Sequence, residues 1–222
     1  MSIRTRYDKE LNGICDSLVL MCRRIEIAIE KCVKALVDRN HELAKEVFEE
    51  EKLIDKMERE IEQSCLKIQL MDHPVARDFR EVLAALKMIT DLERIGDQAR
   101  DIAEITMQFG DEEYIKKVVR IPLMATIVIQ MIKDSVHAYI NRDLELARSL
   151  DKSDDKVDEL FNAVMADLTV LIKNNPDNAE QAILFMMITK YLERIGDHAV
   201  NIGEWVEYAI TGSHPNNELH MP

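Results

Sequence analysis

Apolar residues recur at intervals of three and four along nearly the whole chain, the period of an amphipathic helix and not the alternation of a strand. Ile14, Leu18, Met21, Ile25, Ala28, Cys32 and Ala35 mark a first helix over about 3–39, on the order of 50 Å long at 1.5 Å per residue. Asn40-His41 reads as a break and a cap. Leu43, Val47, Ile54, Met57, Ile61 and Leu66 carry a second helix that ends near Met71, because His73-Pro74 turns the chain away from helical geometry. A third runs from about Val75 to Phe109. Gly110 stops it, and Asp111 reads as the next N-cap.

The plan then repeats. Ile121, Met124, Ile127, Val128, Met131, Ile132 and Val136 predict a helix reaching about Asn141, with Pro122 marking a kink or a late N-terminus. Asp143 caps the next, whose apolar side is Leu146, Leu150, Val157, Leu160, Val164, Leu168 and Leu171. Asn174-Asn175-Pro176-Asp177-Asn178 breaks it. A last helix runs from about Ala179 to Ile210, and Thr211-Gly212 stops it. The expected fold is all-α: two repeated antiparallel three-helix bundles, over 1–110 and 111–212, with a polar tail over 213–222.

The repeat is sharpest in one stretch. Leu92-Glu93-Arg94-Ile95-Gly96-Asp97 returns one hundred residues later as Leu192-Glu193-Arg194-Ile195-Gly196-Asp197. On a helix, Glu93, Asp97, Asp101 and Glu104 fall within roughly 80° of arc, and Leu92, Ile95, Ala99 and Ile102 lie near the opposite side. The second copy repeats this, with Asn201 in place of one carboxylate. The expectation is an acidic stripe on each helix, opposite the core. Like charges four apart cost about 0.2–0.5 kcal/mol per pair, and a helical glycine costs roughly 1 kcal/mol relative to Ala. A solvated acidic face, with each glycine admitting a close neighbour, accounts for one copy. Two matched copies point instead to cation binding.

Each second helix adds a pair, Glu51 with Asp55 and Asp154 with Asp158. An antiparallel neighbour would set Glu51 and Asp55 beside Glu93, Asp97 and Asp101, and Asp154 and Asp158 beside Glu193, Asp197 and Asn201. Hard oxygen donors suit Mg²⁺, Ca²⁺, Mn²⁺ or iron better than copper or structural zinc. The Glu-x-x-His spacing of di-iron bundles does not occur around this core, and His198 points about 100° away from Asp197. A P-loop, a dinucleotide glycine fingerprint, G-x-S-x-G and H-E-x-x-H are all missing. Carboxylates facing away from the core would lack the desolvated cleft that tunes a catalytic acid.

The remaining chemistry narrows the partners. A net charge of −13 argues against nucleic acid and anionic lipid and favours metal cations or basic protein patches. Of 222 residues 47% are hydrophobic and only 5% aromatic, a composition for aliphatic helical cores. The start Met1-Ser2-Ile3-Arg4-Thr5-Arg6 has no apolar h-region, and no apolar run is long enough to span a membrane. Cys15, Cys22, Cys32 and Cys65 lack C-x-x-C spacing and are expected as buried free thiols of a reducing compartment. Arg77 and Arg80 read as an exposed cationic pair, or as contacts to a partner or to the acidic stripe.

The two Leu-Glu-Arg-Ile-Gly-Asp motifs, the continuation His198-Ala199-Val200-Asn201-Ile202-Gly203-Glu204, and Val75-Ala76-Arg77-Asp78-Phe79-Arg80 resemble the signatures of the PhoU family, regulators attached to the phosphate-specific transport system. The resemblance covers almost the whole chain. It implies a non-enzymatic, cytoplasmic protein, peripheral to the membrane through its partners, that restrains phosphate uptake and the phosphate-starvation response. Those partners would be the transporter's ATP-binding subunit and the sensor histidine kinase, and a homodimer is compatible with it. It also implies surface metal sites, with multinuclear iron the leading expectation and Mg, Mn, Ca or Zn left open. Their E(D)xxxD motifs would be Glu51/Asp55, Glu93/Asp97, Asp97/Asp101, Asp154/Asp158 and Glu193/Asp197, with Asn201 weakening the second site. A metal-dependent phosphoester hydrolase and a metal-free helical adaptor stay as alternatives.

Overall fold

The computed structural model describes residues 3–72, 77–110 and 113–215. Its helices are α1 (Ile3–Asp38), α2 (His41–Asp72), α3 (Arg77–Thr106), α4 (Arg120–Asn141), α5 (Leu144–Arg148), α6 (Leu150–Asn174) and α7 (Ala179–Thr211), with one 3-10 turn over Pro176–Asn178. No strand occurs among the described residues. His73-Pro74, the start at Val75, the Asp111 cap and the end of the tail lie outside them.

The apolar periods land as the sequence predicts except at Leu66 of α2, which is 45% exposed because Cys65 and Ile68 take the inward positions of that turn. Ile14, Leu18, Met21, Ile25, Ala28, Cys32 and Ala35 of α1 are all buried. Asn40 caps α2 by accepting the Leu43 amide at 3.0 Å, and Asp143 caps α5 by accepting that of Leu146 at 2.9 Å. Pro122 is the third residue of α4, where its missing N–H costs nothing. Gly212 ends α7 at φ 84°, the left-handed C-cap that glycine adopts without a Cβ penalty. All four cysteines are free. Burial pushes the Cys22 and Cys65 thiols up to about 11 and about 12, which keeps them protonated and inert.

Helices α1–α3 form one bundle and α4–α7 a second, and the two meet through α3 and α7, which pack along each other. One continuous core runs through both. The second bundle departs from the expected three helices at Ser149, which separates α5 from α6. The Ser149 amide is shared between the Glu145 and Leu146 carbonyls, and its Oγ donates to Leu146 at 2.7 Å. The break faces α7 at a close approach: a Cβ at Gly203 of α7 would sit 2.6 Å from Leu150 Cδ1 and 3.0 Å from the Ala147 carbonyl, so the glycine makes room for the bent segment. A smaller difference is that α3 ends at Thr106, and 106–109 tighten into i+3 bonds.

The repeat extends to the joints. Arg39 after α1 and Arg142 after α4 take left-handed φ values of 53° and 55°, a conformation in which a non-glycine side chain is uncommon. Each arginine is held by a residue of the other bundle or of the link between them. Arg39 stacks over Tyr114, 4.6 Å from the ring centre, and Arg142 pairs with Glu81.

Candidate functional site

The acidic residues of α2 and α3 do meet, but in a half-buried groove and not on an open face. The side chains of Glu51, Asp97, Glu93 and Asp101 are 12%, 20%, 27% and 28% exposed. Glu104 at the end of the stripe is exposed, and the others are half-covered because α2 packs along one flank of α3 and α7 along another. Burial, followed by the Asp97 charge, raises the Glu93 pKa, with Asp55 and Glu58 adding to it. These carboxylates are therefore within electrostatic reach of one another.

What holds the first group together is Arg100, a residue outside the carboxylate stripe. Its guanidinium donates to Glu51 Oε1 at 2.6 Å and lies 3.2 Å from both Asp97 and Asp101. Arg94 adds a contact to Asp97 at 3.4 Å, and Asp55 has a peripheral neighbour in Arg59 at 4.0 Å. The signal was available: Arg100 follows Glu93 by seven residues, two turns along the same face.

The second group lacks that clamp, because the residue corresponding to Arg100 is Val200. Lys190 lies 2.5 Å from Glu193. Among the described residues, Asp154, Asp158 and Asp197 have no hydrogen-bond or ion-pair partner. Oδ1 of Asp154 is buried without any donor, pressed against α7 where a Cβ on Gly196 would stand 2.6 Å from it. Burial, then Asp197, Asp158 and Glu193 in that order, push the Asp154 carboxyl up to about 6. Asn201 is turned elsewhere: its amide donates to Asp91 of α3 at 3.5 Å. His198 Nδ1 lies 2.8 Å from the same Asp91 oxygen, so both residues tie α7 to α3.

Neither group is a ready-made cage: among the described residues no three His, Cys, Asp or Glu side chains are arranged to hold an ion. The chemistry of the second group still fits a hard cation. Its donors are carboxylate oxygens, one is buried and unpaired, and a glycine keeps the space beside it clear. In the first group a guanidinium already occupies that role. Arg77 pairs with Glu81 of its own helix at 3.3 Å, not with a stripe, and Arg80 packs on Gly212.

A model of the PhoU domain matches the chain twice, over 18–106 and 121–206. The chain belongs to the PhoU family. Curated relatives named phosphate-specific transport system accessory protein PhoU homolog include one from Clostridium acetobutylicum, 34% identical over 94% of this chain and 96% of its own. Another, from Aquifex aeolicus, is 35% identical over 84% of each. Crystal structures of PhoU from Pseudomonas aeruginosa and of the phosphate transport system regulatory protein PhoU from Streptococcus pneumoniae superpose with TM-scores of 0.87 and 0.86. They share 30% and 23% identity with this chain, cover 93% and 95% of it, and are themselves covered in full. Among the described residues no helix is long and apolar enough to cross a membrane.

Within this PhoU-family fold the unpaired carboxylate makes a direct prediction. Asp154→Asn should raise the stability of metal-free protein at pH 7 by about 1–2 kcal/mol, the figure being discounted for the solvent that screens a half-buried group. Urea denaturation after chelator treatment measures it, and Asp155→Asn on the exposed side of α6 serves as the reference.

Proposed function

We propose that this protein is a non-enzymatic accessory regulator of phosphate transport. It restrains phosphate uptake and the phosphate-starvation response through contacts with the transporter's ATP-binding subunit and the sensor histidine kinase. It works on the cytoplasmic side of the membrane, held there by those partners. The observation that carries this reading is the family match in both halves over nearly the full length. Long helices offering broad faces, a net charge of −13 and the lack of a catalytic motif support it. Basic patches on the partners would complement such a charge, and association would weaken as salt screens it.

The same reading includes cations at the carboxylate groups. Asp154, Asp158, Glu193 and Asp197 would hold an ion in the second half, iron being the leading candidate and other hard cations fitting the donors equally. When bound it supplies positive charge to a cluster that otherwise repels itself. In the first half Glu51, Asp55, Glu93, Asp97 and Asp101 would accept an ion only by releasing Arg100, so the second half fills first.

The test is deletion in the native host, with phosphate-starvation gene output measured in phosphate-replete medium. The output should stay on in the deletion strain and be switched off again by the wild-type chain. Normal repression without the protein, in a genome holding no second copy, would return a metal-binding adaptor of another system to first place.

A further inference from the structure

A cavity of about 450 Å³ opens where the end of α4 and the last turns of α7 meet α1 and the start of α3. It lies away from the carboxylate groups, and neither the metal reading nor the regulatory reading accounts for it. Asn12, Arg77, Glu81, Arg142, Val206 and Ala209 are in its wall. In a chain of net charge −13, two guanidinium groups here face one carboxylate.

The internal repeat explains why the space is hollow. The corresponding end of the other half is filled by an aromatic trio, Phe109, Tyr114 and Phe185, with ring centres 4.9–5.2 Å apart. One hundred residues from Phe109 stands Ala209, and one hundred from Phe185 stands Ala85. Glu81 likewise corresponds to Gln181, whose amide is spent on the backbone of Glu113 and Ile115. In the cavity wall the Ala209 methyl group stands where the other half has the Phe109 ring, and the charged Glu81 stands where it has the neutral Gln181. Space lined this way forfeits packing energy, and the arginine at its rim sits in a left-handed conformation that costs more.

The polar groups are under-used. Glu81, with its side chain 8% exposed, takes one contact from Arg77 Nε and one from Arg142 Nη2. A guanidinium carries five N–H donors, and among the described residues the remaining ones on both arginines have no protein acceptor. Paired guanidinium forks recognise a phosphate bidentately, and its double charge favours it over a carboxylate. The rest of the wall includes Tyr139, Ile140 and Ile210, apolar or aromatic surface suited to an organic body. The volume matches a small-molecule site.

We propose that this cavity binds a small phosphate monoester of about mononucleotide size, its phosphate on Arg77 and Arg142 and its body against the α4 and α7 wall. The probes are AMP, adenosine and inorganic phosphate, each titrated calorimetrically into the full chain. AMP should bind, adenosine should not, and inorganic phosphate should bind at least tenfold more weakly than AMP. Arg142→Gln should weaken AMP at least tenfold, and Glu81→Gln should tighten it, since it releases two guanidinium groups. Ala209→Phe copies the filled end of the repeat and should abolish binding while the circular dichroism melt stays cooperative. If that variant fails to fold, Arg142→Gln and Glu81→Gln decide the matter. No AMP binding by wild type or Glu81→Gln, equal affinity for AMP and inorganic phosphate, or affinity indifferent to Arg142→Gln would each overturn the proposal.

Discussion

Val200→Arg should stabilise the metal-free protein by about 1–2 kcal/mol and remove the cation binding proposed for its second half. The substitution gives α7 the counter-ion that α3 already has. Arg100 spans Glu51, Asp97 and Asp101, and Val200 occupies the corresponding position of α7, three residues after Asp197. A charge-assisted hydrogen bond to a half-buried carboxylate contributes roughly 1.5–3 kcal/mol before side-chain ordering is subtracted. The reverse change, Arg100→Val, should cost the metal-free protein about 2–3 kcal/mol, below the 3–5 kcal/mol of a fully buried pair because Arg100 remains partly solvated. It should also let the first half take up an ion. Urea denaturation of chelator-treated protein reads the stability, and elemental analysis after equilibration with one metal reads the occupancy. If the two variants bind the same amount of metal as wild type, Arg100 is not what separates the halves.

Phe185→Ala should be among the most damaging single changes in the molecule, at about 3–5 kcal/mol. Phe185 is 1% exposed and touches both Phe109 and Tyr114 in tilted or edge-on geometry. Tyr114 in turn lies in the link between the bundles, donates to the Leu36 carbonyl at 2.9 Å and carries Arg39 on its ring. Losing the central ring therefore empties the core and loosens the joint between the halves at once. For a chain of this size the melting temperature should fall on the order of 10 °C. Differential scanning calorimetry checks it. Two separated transitions in place of one would place the damage at that joint.

The helices were legible because their pattern is locally consistent. The α1 stripe from Ile14 to Ala35, the Asn40 and Asp143 caps and the Gly212 stop each state one local preference that the packing does not overrule. The exposure of the acidic stripe was misread for a tertiary reason. Periodicity orients Glu93 and Asp97 relative to Leu92 and Ile95 and allows α2 as a neighbour, but it does not say that α7 of the other bundle packs along α3 as well. The Ser149 break is likewise not legible locally, since the glycine that makes room for it, Gly203, stands some fifty residues away. Arg100 and the Ala85/Ala209 pair could have been found by aligning the two halves and asking where they differ. The likenesses of the two halves set the fold, and the chemistry of each half lies in its exceptions.

The long seam between α3 and α7 has a consequence for what this protein can say to a partner. One core passes through both bundles, and Asp91 with His198 and Asn201 pins the two helices side by side, so one bundle cannot swing against the other without opening that core. A body of fixed shape has few gestures. Under the proposed function, an ion on Asp154, Asp158, Glu193 and Asp197 would change the surface potential and leave the outline as it is. A partner would then distinguish the two states by charge and not by shape.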